Sequence, residues 1–367
     1  MRHRTRLWVA AVIAAGVLAA APGAPATATT TYSKADFRRD LDTLRAAGVV
    51  GVQGRVITED GRSWAEGSGA PVRGHYRIGS NTKTFVAVVV LQLVGEGRLG
   101  LEDTVEQWLP GVVRGNGNDG RKITVRQLLE HTSGLYDYLA DIGPRDAESF
   151  ERERLRRYTP EELVATAMRH APADTPRSYS NTNYVLAGMI VERVTGRAWG
   201  EEVERRVIRP LKLGNTSVPG KEAGLPRPHA RAFQQWQPGG PLTDVTLFSP
   251  TSYDAAGSMI STTADLSTFF RALLGGRLLR PAQLTEMKTG YGLGLTQKTL
   301  SCGGVYWGHG GNAPGYISRE GFSPDGRRSV ALSISGATGE KVEDYRTLQT
   351  MTDQLVDDVL CDGRGRS

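Results

Sequence analysis

The sequence predicts an α+β protein in which one α/β lobe is assembled from both chain ends, residues 29–79 and 255–367, with a mainly helical lobe, 80–254, inserted between them. Three observations predict it. Both ends carry a helical pattern next to short strand-like runs. The middle carries helical periods opened by capping signals. One strongly apolar stretch, entered through Ser80, joins the two parts.

Arg2, Arg4 and Arg6 precede an apolar run from Leu7 to Ala21, and Ala26-Thr27-Ala28 offers small residues for cleavage. This reads as a secretory signal peptide over 1–28, cleaved near Ala28, because the run is too short and small-residue-rich to span a bilayer. The expected product is secreted, monomeric and without a membrane anchor. The chain has 45 Lys and Arg against 39 Asp and Glu, a formal net charge of +6, and three of those arginines lie in the leader. No basic block stands out, so charge makes no case for nucleic acid as a partner. Six histidines and two cysteines form no cluster at ligand spacing, so no metal and no other cofactor is expected. In an exported chain the lone pair Cys302 and Cys361 predicts a disulfide.

Taken in order, Ser33 to Ala47 is an amphipathic helix, with Phe37, Leu41 and Leu44 at helical spacing. Val49–Ile57 and Ser63–Ser68 flank Thr58-Glu59-Asp60-Gly61-Arg62, a hairpin signal. The run Val86 to Val94 is apolar enough for a buried helix beginning near Ser80. Further helices are expected over Val125 to Glu130, from Thr159-Pro160-Glu161-Glu162 with its capping box, over Thr182 to Val194, and from Trp199 to Ile208. Gly214 to Asp244, rich in proline and glycine, reads as a long irregular surface stretch over the site. Val305–Gly311, Gly315–Phe322 and Arg328–Ser335 are short strands separated by glycine or Pro-Asp-Gly turns, and Val342 to Leu360 is a closing helix.

Four stretches carry candidate chemistry. Ser80 and Lys83 stand one helical turn apart, so an uncharged lysine could take the serine's proton; burial beside a helix N-terminus favours that uncharged form. Tyr179-Ser180-Asn181 opens a helix after an irregular loop, where a phenol and an amide project into a cleft. Trp307-Gly308-His309-Gly310-Gly311-Asn312 reads as an edge strand whose glycines let a peptide-like substrate approach the backbone and whose N–H groups could hold an oxyanion. Leu128 to Tyr138, with Glu130-His131-Thr132-Ser133-Gly134, reads as a helix end with a glycine stop.

Together and in this order, Ser-x-x-Lys, Tyr-Ser-Asn and His-x-Gly resemble the serine β-lactamase/penicillin-binding protein superfamily. The variant is that of the class C β-lactamase and DD-peptidase branch, closest to its secreted D-alanyl-D-alanine carboxypeptidases. The resemblance implies the β-lactamase/DD-peptidase fold, with an antiparallel five-stranded sheet flanked by the terminal helices and an inserted all-α lobe. It also implies bridged cysteines at Cys302 and Cys361. By position it makes Ser80 the acylated nucleophile, with Lys83 and Tyr179 as proton-transfer residues, either of which could take the first proton. Asn181, His309, Gly310, Gly311, Asn312 and Thr296 become substrate-binding positions, and the backbone N–H groups of Ser80 and Asn312 the oxyanion hole. The implied substrate is a D-amino-acyl or peptidoglycan-like peptide, with β-lactams as covalent inhibitors. Gly310, Asn312 and Thr296 depart from the branch, which places hydroxyls and an arginine there to bind a free terminal carboxylate. Discrimination of acid from amide is therefore expected to be weak unless Lys298 or another cation supplies the charge. Esterase, D-amino-acid amidase, endopeptidase, peptide-cyclising acyltransferase, β-lactamase and a non-catalytic β-lactam sensor are the alternatives on the same fold.

Overall fold

The computed structural model describes residues 31–175 and 177–363, so the expected leader over 1–28 lies outside the described residues. Helix α1 (Lys34–Ala46) begins at Ser33, whose hydroxyl accepts from Asp36 N while the Asp36 carboxylate accepts from Ser33 N. It buries Phe37, Leu41 and Leu44. Strands β1 (Val52–Ile57) and β2 (Ser63–Ser68) form the expected hairpin, Val52 facing Ser68 and Ile57 facing Ser63.

Helix α2 (Asn81–Gly95) is buried on nearly every side, from Asn81 through Leu91 and at Leu93. Enclosure rather than propensity keeps its β-branched valine run helical. Helices α3 (Val125–Glu130) and α4 (Pro160–Ala167) open on capping boxes at Thr124 and Thr159. Helix α5 (Thr182–Thr195) packs on α2 and stops at Gly196, which takes a left-handed φ of 73°. Helical character from Trp199 runs through a π-helical turn, Glu204–Ile208, to Leu211. The stretch expected to be irregular contains a two-stranded ribbon, Phe233–Gln235 with Leu242–Asp244. Helix α6 (Thr263–Leu274) starts at Thr262, which accepts from Asp265 N, and buries Leu266, Phe269, Phe270 and Leu273.

The remaining strands of the main sheet are β3 (Thr296–Thr299), β4 (Val305–Gly308), β5 (Gly311–Ala313), β6 (Tyr316–Phe322) and β7 (Ser329–Ile334), and α7 (Val342–Leu360) closes the described chain. The sheet runs β2-β1-β7-β6-β4-β3, antiparallel throughout, with β5 also paired to β6. The run expected as one strand over Val305–Gly311 is split at His309-Gly310, and β3 is an additional edge strand. Because β3 stops opposite Gly308, it leaves β5 as a free edge of the sheet among the described residues.

Helices α1 and α7 cover one sheet face around Phe37, Leu41, Leu332, Leu355 and Val359. The other face meets α6 and α2, where the Phe85 and Phe269 rings stack at 3.6 Å and Phe270 stacks on Phe322 at 4.7 Å. Cys302, in the turn between β3 and β4, is disulfide-bonded to Cys361 at the end of α7, with Cα atoms 5.8 Å apart. No described helix is long and apolar enough to cross a membrane.

Candidate active site

Ser80 stands at the N-cap of α2, yet its side chain makes no capping hydrogen bond. The hydroxyl is held from two other sides: Lys83 Nζ lies 3.1 Å from Ser80 Oγ, and the Tyr179 hydroxyl donates to it at 2.7 Å. Gly79, with φ +52°, turns the chain into this position. A Cβ on Gly79 would lie 2.7 Å from Asn312 N, and one on Gly311 would lie 1.9 Å from Ile78 O. Two glycines thus let the start of α2 press directly on β5.

Lys83 is fully buried, and Nζ donates to Asn181 Oδ1 and to Ala256 O, each at 2.7 Å. Burial lowers its pKa to about 7, against an opposing pull from Asp137. A neutral amine has two N–H bonds and one lone pair. With both N–H bonds directed at carbonyl oxygens, the lone pair is left facing Ser80. Asn181 is oriented in turn by Asp137, which accepts from its Nδ2 at 2.9 and 3.2 Å.

The Tyr179 phenol is pushed up by burial and pulled down less by its bond to Ser80. A phenol's ordinary pKa of roughly 10 already keeps it protonated at neutral pH. Its ring stacks on His131 at 4.2 Å. His131 takes a left-handed φ of 62°, ends α3, and accepts at Nδ1 from Ser180 N at 3.2 Å. Burial lowers its pKa to about 2, so a neutral, wedged imidazole supports the tyrosine rather than a charged one.

His309 Nδ1 lies 2.8 Å from Gly310 O, which makes Nδ1 the N–H donor. Burial, helped by the charge of Lys83, lowers its pKa to about 4, so the ring is neutral at neutral pH.

These groups surround a cavity of about 790 Å³ whose wall includes Ser80, Tyr179, Asn181, His309, Gly310, Gly311 and Asn312. Gln234, Trp236, Tyr253, Lys298, Arg319 and Gln349 are also in that wall. Lys83 lies behind Ser80. Thr296 is the exception among the expected binding positions: it sits on β3, outside the cavity wall, with its hydroxyl donating to Gly308 O at 2.9 Å. Sequence reasoning missed Arg319. Its Nη1 donates to Ser318 O at 2.9 Å, lies 3.4 Å from Asn312 Oδ1, and would be 3.8 Å from a Cβ at Gly310. The guanidinium therefore sits beside the space a side chain at 310 would enter. Asp137 and His131 lie within the Leu128–Tyr138 stretch singled out from sequence, but nothing in residue type alone marks them. Ala256 contributes only a backbone oxygen, which leaves no residue signature.

Fold and site define a serine hydrolase of the β-lactamase type. A family model described as Beta-lactamase matches residues 37–351, and the chain belongs to that family, within the serine β-lactamase/penicillin-binding protein superfamily. Among solved structures, a D-stereospecific amidohydrolase from Streptomyces sp. is 42% identical with a TM-score of 0.83, covering 90% of this chain and 99% of that one. The D-amino acid amidase of Ochrobactrum anthropi SV3 is 27% identical with a TM-score of 0.77, covering 90% and 98%. Penicillin-binding protein 4 of Amycolatopsis lactamdurans is 28% identical over 315 residues, 80% of this chain and 79% of that protein.

Proposed function

We propose that the chain is a D-stereospecific amidohydrolase that forms an acyl-enzyme on Ser80. The observation that carries this reading is the shared hydrogen bonding of Ser80 Oγ to Lys83 Nζ and the Tyr179 hydroxyl in the wall of the cavity. Ser80 Oγ attacks the D-amino-acyl carbonyl as its proton passes to the Lys83 lone pair. The developing oxyanion is received by the N–H groups of Ser80 and Asn312. Tyr179 gives its proton to the departing nitrogen and is reprotonated through Lys83; water then repeats the sequence to release the acid. Asn181 and His309 hold the substrate's amide groups, and β-lactams enter as acylating inhibitors. Export after cleavage near Ala28 belongs to the same proposal and rests on the leader alone.

Amide and peptide leaving groups are accepted nearly as well as a free-acid terminus because Gly310 offers no hydroxyl and the Thr296 hydroxyl is spent on Gly308 O. The 42% identity to a D-stereospecific amidohydrolase supports the same choice. A second reading, a D-alanyl-D-alanine carboxypeptidase, is favoured by one observation, the Arg319 guanidinium in the cavity wall. One experiment separates them: kcat/KM on a matched D-Ala-D-Ala acid and amide pair, with intact-mass detection of a penicillin adduct. The expected result is less than about tenfold preference for the acid, a difference of about 1.4 kcal/mol, and an adduct on wild type that is absent from Ser80→Ala. A hundredfold preference for the acid would favour the carboxypeptidase. An adduct retained on Ser80→Ala would sink both.

A further inference from the structure

Glu320 lies on β6 and is 6% exposed, a carboxylate placed where an apolar strand residue would cost less to bury. It faces the break between β4 and β5. Trp307 pairs with Phe322 on one side of that break and Gly311 with Ser318 on the other. The two strands thus keep register across the gap without an inserted residue, although the ladder opens there.

The Glu320 side chain fills the opening. Its Oε1 accepts from His309 N at 3.3 Å and from Gly310 N in a shorter contact. Its Oε2 accepts from Asn81 Nδ2 at 3.3 Å. Asn81 directly follows Ser80, is fully buried, and also donates to Ser318 Oγ at 2.7 Å and to Ile78 O at 3.3 Å. One side chain therefore grips the strand that leads to Asn312 and the helix start that carries Ser80. None of its hydrogen bonds goes to Ser80, Lys83 or Tyr179.

We propose that Glu320 is a positioning residue for the oxyanion site, its carboxyl group fixing the spacing between the backbone N–H groups of Ser80 and Asn312. The inference rests on the acyl-enzyme reading above. It deepens that reading by assigning the oxyanion geometry to a group outside the reacting cluster. What matters here is acceptor geometry, since two N–H groups and one amide need oxygen atoms at fixed places. Because the oxyanion exists only as the carbonyl is attacked, disturbing this spacing lowers kcat and leaves KM little changed.

The test compares Glu320→Gln, Glu320→Asp and Glu320→Ala in the full chain, with steady-state hydrolysis of D-phenylalanine p-nitroanilide, thermal unfolding and penicillin labelling. Gln keeps the length and the oxygen that accepts from His309 N and Gly310 N. Its NH2 group replaces the oxygen facing Asn81 Nδ2, so the Asn81 amide must turn to bring Oδ1, a buried oxygen with no partner among the described residues, against it. It should retain kcat within about threefold, whereas Asp, one methylene short, should lose about thirtyfold in kcat with KM within about threefold. Ala should lose at least as much as Asp. Asp active with Gln inactive would mean that charge is what matters, and would overturn the proposal. Folded Asp and Ala variants with wild-type kcat would overturn it too, as would losses appearing only in KM. If Glu320→Ala does not fold, the comparison of Gln with Asp still decides. A wild type that neither hydrolyses the substrate nor labels at Ser80 would remove the acyl-enzyme reading itself; an active wild type with indifferent variants removes this proposal alone.

Discussion

Lys83 is the residue on which the proposed chemistry turns, and its protonation sets a pH dependence. Burial lowers its pKa to about 7, so it is charged below that value and neutral above it. The charged form has no lone pair for the Ser80 proton. Activity should therefore be lost as pH falls through about 7 and reach a plateau above it, not decline on the alkaline side of 7. A profile of kcat/KM against pH checks this, and a fall on raising the pH from 7 to 9 would contradict it. Lys83→Arg, whose side chain stays protonated, should lose at least about 10³-fold at every pH. Ser80, Lys83, Tyr179 and Asn181 were legible from sequence because each pair sits within one short segment and the order of the segments resembles that of the serine β-lactamase/penicillin-binding protein superfamily. Asp137, Arg319 and Glu320 were not, because each acts on a residue 44, 7 or 11 positions away and only the fold brings them together.

At the scale of elements, most of the fold was legible where the apolar period is clear, as in α1 and α7, or where a capping signal opens the helix, as in α4. Strand β3 was not, since Thr-Gln-Lys-Thr is largely exposed and has no apolar alternation to read. Nor was the break at His309-Gly310, which depends on a carboxylate arriving from the neighbouring strand. Helix α6 went unread although its apolar face is clear, the signal lying between two glycine-containing stretches. The contact between α2 and β5 has its own consequence. Gly79 combines φ +52° with a Cβ position 2.7 Å from Asn312 N, so Gly79→Ala meets both backbone strain and a backbone clash. The expected outcome is a displaced Asn312 and at least about a hundredfold loss in kcat. By contrast Gly97, also at positive φ but with open space around it, should tolerate alanine with little effect on activity. Parallel kinetics and unfolding curves check the pair; equal activity losses would show that backbone conformation rather than the strand contact is responsible.

For the whole molecule, the connection between chain ends is the feature with a measurable energy. Helices α1 and α7 lie together on one sheet face, and α7 is tied by Cys302–Cys361 to the turn that leads into β4, the strand ending just before His309. The cysteines are 59 positions apart, and closing a loop of that length in the unfolded chain contributes about 3–4 kcal/mol if the native geometry accepts the bridge without strain. Spread over a chain of this size, that corresponds to a fall in Tm of about 5 °C when both cysteines are replaced by serine. The bridge lies outside the cavity wall, while β4 is also held by its ladders to β3 and β6. The double variant should therefore keep its 25 °C kcat within about twofold while unfolding earlier. Thermal unfolding with and without reductant, beside steady-state kinetics, checks both halves. An unchanged Tm would mean that packing of α7 alone closes the molecule. A large kcat loss at full folding would mean instead that the bridge holds β4 in register for the site.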